Sequence, residues 1–203
     1  MISFEQEMVH AFEDSRQAYK SYTSSTTTPD FSLAFAGAKR ITYVEVKEKR
    51  QKYNRHSYNL HNQNGKFILD DLTVRKLFIL GPEACLFIRD TSNGGKNYYF
   101  LSAADLMMIP KRRFNREVSV RSPSVDFSLK GKWMIDLRDA RSFIEPEFLI
   151  SEAEAYTHEV GDVSHDASFY VSPCYGDYRT ENIPIYGTRR KLDWQSKDYN
   201  ETR

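Results

Sequence analysis

The chain has 203 residues, enough for one well-buried core with appendages and too few for two full domains. Its 29 basic and 28 acidic residues leave a formal net charge of +1, so attraction to nucleic acid has to come from local clusters rather than a global field. Cys85 and Cys174 stand far apart without a Cys-x-x-Cys or Cys/His array, and no run reaches the ~18 apolar residues of a membrane span. These features argue against a zinc module, a disulfide scaffold and a membrane partner, and a soluble, cytoplasmic protein is expected.

From Ser3 to about Tyr22, Phe4, Met8, Ala11, Phe12 and Tyr19 recur at three- and four-residue intervals, which predicts an amphipathic helix with Ser3 as its N-cap. The hydroxyl-rich run before Pro29 breaks it. "DFSLAF" and "ITYVEVK" then alternate around Gly37-Ala38 and read as a hairpin. "ILDDLTVRKLFIL" reads as a helix from near Asp70 to the stop at Gly81-Pro82, and "ACLFIRD" with "NYYFL" as a second hairpin. In "SAADLMMIP", Ser102 and Asp105 predict a short capped helix. "GKWMIDL" reads as a last strand, and "DARSFIEPEFLISEAEAY" as helical around a break at Pro146. The expected fold is α/β or α+β: a mixed sheet flanked by helices over 1–155, with an irregular, Tyr-rich extension over 156–203.

The chemistry concentrates in the first hairpin. Side chains two apart on a strand share a face, so Glu45 and Lys47 project together, opposite Val44 and Val46. A turn at Gly37-Ala38 makes positions summing to 75 face each other, which sets Asp30 across from Glu45 and puts Phe31, Leu33 and Phe35 on the apolar face. Two like charges in that position repel and call for compensation. A hard divalent cation, Mg²⁺ with Mn²⁺ as a substitute, suits two carboxylates and completes its shell with water and phosphate.

Pro29-Asp30, a spacer, then Glu45-Val46-Lys47 resembles the signature of the PD-(D/E)xK nuclease superfamily, over about residues 1 to 101. The resemblance implies a restriction-endonuclease-like fold and Mg²⁺-dependent cleavage of DNA. Asp30 and Glu45 would then be metal ligands and Lys47 the catalytic lysine. Many members add a Glu from the first helix, and Glu5 is the candidate here because it lies nearest the apolar face on a helical wheel. The residues after Lys47 lack the Gln-x-x-x-Tyr helix motif of one branch, so no subfamily follows.

Two basic clusters are candidate DNA contacts. Lys49, Arg50, Lys52 and Arg55 follow the motif, interleaved with Tyr53, His56 and Tyr58; Lys111, Arg112, Arg113 and Arg116 form the second. Ordinary solvated surface explains either cluster as well, and Arg75 and Lys76, on the helix after the motif loop, fit either contact with phosphate or helix solubility. Cleavage of both strands would imply a homodimer. A nuclease fold without activity, binding nucleic acid or protein, is the rival expectation, and RNA shares the site chemistry with DNA.

Overall fold

In the computed structural model the described residues are 2–23, 28–53, 65–122 and 125–162, with backbone alone at 116–122, 125–129 and 160–162. In chain order they form α1 (Phe4–Asp14), β1 (Ala18–Ser21), β2 (Phe31–Ala34), β3 (Ile41–Lys49), β4 (Lys66–Asp70), α2 (Asp71–Leu80), β5 (Ala84–Asp90) and β6 (Asn97–Ser102). Then follow α3 (Ala103–Met108), β7 (Lys111–Ser122), β8 (Val125–Asp136), β9 (Arg141–Phe143) and α4 (Glu147–Asp162). The fold is mixed α/β, with a central mixed sheet flanked by helices.

A six-stranded sheet runs β1-β2-β3-β5-β6-β9, and a three-stranded sheet runs β4-β8-β7. Only the β3–β5 pair of the larger sheet is parallel, and β4 with α2 makes the crossover between those strands. All seven residues of β5 are buried, as befits a central strand covered on both faces.

Local chemistry accounts for most of these elements. Ser3 and Gln6 close a capping box at the start of α1, and Ser102 and Asp105 close another at α3. Gly81, at a φ of 62°, ends α2 where an L side chain would be strained. Phe4, Met8 and Phe12 of α1 and Leu149, Ala153 and Tyr156 of α4 pack with Phe31, Leu33, Val44 and Val46 on one face of the larger sheet.

Several sequence expectations change. The first helix stops at Asp14, because Ser15 Oγ bonds the Ala11 carbonyl at 2.6 Å and Arg16 turns left-handed at a φ of 55°. Beyond it, Ala18–Ser21 joins the sheet as β1, and Tyr19 reaches the core from a strand, 5.2 Å from the Phe12 ring. The basic run after Pro110 is β7, and "GKWMIDL" ends the twelve-residue β8 paired with it. The segment before Pro146 is strand: Arg141–Phe143 adds to the edge of β6, and helix begins only at Glu147. Helix α4 runs past residue 155, and the compact unit it closes spans Met1–Asp162. The expected Tyr-rich extension beyond it lies outside the described residues.

Candidate active site

The hairpin has the register that the sequence implies. Phe31 pairs with Val44, Ser32 with Tyr43, Leu33 with Thr42 and Ala34 with Ile41, which continues to Asp30 beside Glu45. Asp30 follows Pro29, and its Oδ2 accepts the Val46 backbone N–H at 2.7 Å. A side-chain oxygen thus extends the ladder past the end of β2, and this bond fixes the Asp30 carboxylate beside β3.

Glu45 is 1% exposed and points away from the Val44–Val46 face. The Lys47 ammonium lies 2.6 Å from Glu45 Oε1, 3.7 Å from Asp30 Oδ2 and 3.0 Å from the Val46 carbonyl oxygen, to which it donates. Three oxygens from adjacent strand positions therefore surround one positive group. Lys47 remains 30% exposed, so this is where the cluster opens to solvent.

From the other side α2 closes over Glu45. Lys76 Nζ donates to Oε2 at 3.1 Å and to Oε1 at 3.3 Å, and Thr73 Oγ1 lies 3.4 Å from Oε1. Lys76 is 8% exposed. Two lysines offset the two carboxylates, which is the compensation their closeness demands.

Asp30, Glu45 and Lys47 are thus brought together, but Glu5 is not. Glu5 is exposed on α1, and α1 packs against the opposite face of the sheet. The acid of α1 with a built environment is Glu7, paired with the fully buried Arg89 and with Lys96, and accepting from Tyr98 Oη at 3.0 Å. Burial pushes the Glu7 carboxyl up, but hydrogen bonds from Lys96, Arg89 and Tyr98 outweigh it and hold it below the usual range. Arg89 also binds Glu48 Oε1 at 2.6 Å, so this network ties α1 to β3 on the side away from Lys47.

The basic clusters divide. Lys49 is buried, bonded to Asp90 Oδ2 at 3.3 Å and to the Lys66 carbonyl at 3.0 Å, and it packs on the Tyr53 ring; its expected role at the surface is corrected to fastening β3 to β4 and β5. The Arg113 side chain is 5% exposed, bound to both oxygens of Asp71 and stacked over Trp133, so it serves the interior of the second sheet. Lys111 is half-buried and donates to the Met107 carbonyl at 2.7 Å, at the end of α3. Arg50, Lys52 and Arg112 are exposed, although Arg50 also meets Glu48 at 2.7 Å. Arg55 lies outside the described residues, and Arg116 is described by backbone alone, as the partner of Lys130.

Sequence reasoning missed Thr73 and Lys76. The available signal was placement: Lys76 sits among Val74, Leu77 and Phe78, the buried stripe of α2, where a purely solubilising lysine is out of place. Among the described residues there is no group of three or more His, Cys, Asp or Glu that could hold a metal ion. The oxygens that could hold a cation are instead those of Asp30 and Glu45 with the Val46 carbonyl, which converge on the Lys47 ammonium. They suit an ion that takes one or two carboxylates and keeps water, as Mg²⁺ does.

No family model and no curated protein matches this chain. The solved structures to which it is similar include Hjc, a Holliday junction resolvase from the archaeal hyperthermophile Archaeoglobus fulgidus. That likeness has 14% identity, covers 66% of this chain and 88% of the other, and has a TM-score of 0.37. At that level it carries no functional weight.

Proposed function

We propose that this chain is a metal-dependent nuclease that hydrolyses DNA phosphodiester bonds, with Asp30 and Glu45 as metal ligands and Lys47 as the catalytic lysine. One observation carries the reading: Asp30 Oδ2, Glu45 Oε1 and the Val46 carbonyl converge on the Lys47 ammonium, a positive group standing among hard oxygen donors. Mg²⁺, with Mn²⁺ able to substitute, would be held by Asp30, Glu45 and the Val46 carbonyl. When bound, such an ion makes a coordinated water more acidic and offsets negative charge on the phosphoryl oxygens.

The chain's own groups do the rest. The Val46 N–H orients Asp30, while Thr73 and Lys76 orient Glu45 from α2. Lys47, the most open member of the cluster, would hold a phosphate oxygen or orient the attacking water as a fixed positive charge. Hydrolysis then adds the water oxygen to phosphorus, breaks one P–O ester bond and passes the water's proton toward the departing oxygen. Arg50, Lys52 and Arg112 are the exposed cations available to the phosphate backbone. An endonuclease of restriction or defence type, acting as a homodimer on both strands, is the form we favour over junction-resolving or mobile-element types. Among the described residues no helix is long and apolar enough to cross a membrane.

A second reading has its own support. The pairing of Glu45 with both Lys47 and Lys76 satisfies the buried carboxylate without any metal, as a binding module would require. Incubating the protein with supercoiled and linear DNA in Mg²⁺, Mn²⁺ or chelator separates the two. Metal-dependent strand scission supports the nuclease; DNA binding that persists in chelator without scission in any metal supports the binder.

A further inference from the structure

We infer that Lys76 makes metal loading of this site depend on the substrate phosphate. The inference rests on the nuclease reading above and concerns a residue that the PD-(D/E)xK signature does not contain. Glu45 is 1% exposed and is contacted by two ammonium groups: Lys47 at 2.6 Å on Oε1, and Lys76 at 3.1 Å on Oε2 and 3.3 Å on Oε1. Lys47 belongs to the catalytic strand and opens to solvent. Lys76 comes from α2, is 8% exposed and reaches nothing of the proposed chemistry except through Glu45, so it is a positioning residue.

Lys76 also changes the charge balance. With Lys47 alone, the Asp30–Glu45 pair would keep a net negative charge to attract a divalent cation. With Lys76 added, the two carboxylates and the two ammonium groups cancel. A divalent cation entering that neutral cluster meets two like charges at short range in a largely dry site, where such repulsion is poorly screened. A phosphodiester supplies the missing negative charge. Lys76 therefore holds metal affinity low in the free protein and restores it when phosphate arrives, so that metal and nucleic acid bind with positive coupling. The benefit is selectivity: the ion becomes tightly held only beside a substrate.

The test is calorimetric titration of Mn²⁺ into the full-length chain, alone and with a short phosphorothioate DNA duplex, for wild type, Lys76→Gln and Lys76→Arg. Lys76→Gln is expected to bind Mn²⁺ about tenfold or more tighter than wild type in the absence of duplex, and to lose most of the gain that duplex gives wild type. Lys76→Arg keeps the charge and should retain weak loading and strong coupling. A merely structural lysine would give the opposite sign, since loosening Glu45 weakens a metal site. If Lys76→Gln fails to fold, the wild type and Lys76→Arg decide alone: equal Mn²⁺ affinity with and without duplex overturns the inference. Unchanged or weaker Mn²⁺ binding by a folded Lys76→Gln overturns it too, while leaving the nuclease reading intact. Absence of Mn²⁺ binding to wild type even with duplex overturns both.

Discussion

The Lys47 ammonium sits 2.6 Å from Glu45 Oε1, both side chains rising from the same face of β3, and α2 closes the far side of that carboxylate with Lys76. The two lysines differ in what they do for the folded state. Glu45→Ala strands a buried Lys76 charge and is expected to lower stability by about 3 kcal/mol. Lys47→Ala, removing a 30% exposed partner while Lys76 remains, should lower it by about 1 kcal/mol or less. Urea unfolding of both variants checks the order, and equal losses would mean that Lys76 is not held by Glu45.

Asp30 has a structural role and a charged one, and two substitutions separate them. Asp30→Ala leaves the buried Val46 N–H without its acceptor and should cost about 1–3 kcal/mol. Asp30→Asn keeps an oxygen for that bond, so it should unfold near the wild-type midpoint while reducing Mg²⁺-dependent cleavage by about a hundredfold or more. An Asp30→Asn variant that cleaves normally would remove Asp30 from the site.

How much of this was legible before the structure depends on whether the signal was local. The Asp30–Glu45 pairing was readable because the turn at Gly37, the alternation of β2 and β3 and a period of two fix register without help from the rest of the fold. Capping boxes at Ser3 and Ser102 were readable for the same reason. Lys76 was not, since its partner is 31 residues away and only the crossover that returns α2 over the sheet joins them. Strand β7 hid because its positions hold Arg112, Arg113 and Arg116 where apolar residues usually mark a strand, with Arg113 buried against Asp71 and Trp133. Glu5 and Lys49 looked functional from helical position and charge; the sheet face that α1 covers, and the burial of Lys49 against Lys66 and Asp90, are tertiary properties.

The division of the basic residues has a measurable form. Replacing exposed Arg50, Lys52 or Arg112 by Ala should leave stability within about 0.5 kcal/mol of wild type. Where the replaced side chain meets a phosphate, the plot of log binding constant against log salt should flatten by about 0.9. Lys49→Ala should instead destabilise by about 3 kcal/mol, because Asp90 is left buried without its cation. A stable Lys49→Ala with a reduced salt slope would return Lys49 to the DNA-contacting set.

Acid sensitivity should centre on Asp136, at the end of β8. Hydrogen bonds from the Arg138 side chain hold its carboxyl far below the ordinary range against the effect of burial, with Lys66 Nζ adding a bond at 2.6 Å. Because its folded pKa is depressed, Asp136 contributes stability above its unfolded pKa, near 4, and that contribution is lost as pH falls toward the folded value. Asp136→Asn should therefore be less stable than wild type at neutral pH, with the gap narrowing on acidification below about pH 4. A gap that stays constant down to acid would contradict the assignment.

The most direct measurement is cleavage of supercoiled DNA in Mg²⁺ by wild type and Lys47→Ala side by side, with both proteins shown to be folded. Nicked or linear product is expected from wild type, none in chelator, and none from Lys47→Ala at near-wild-type thermal stability. Cleavage by Lys47→Ala at the wild-type rate, or no metal-dependent scission by either protein, would contradict the nuclease and leave "YVEVK" as a buried and salt-bridged strand in a binding module.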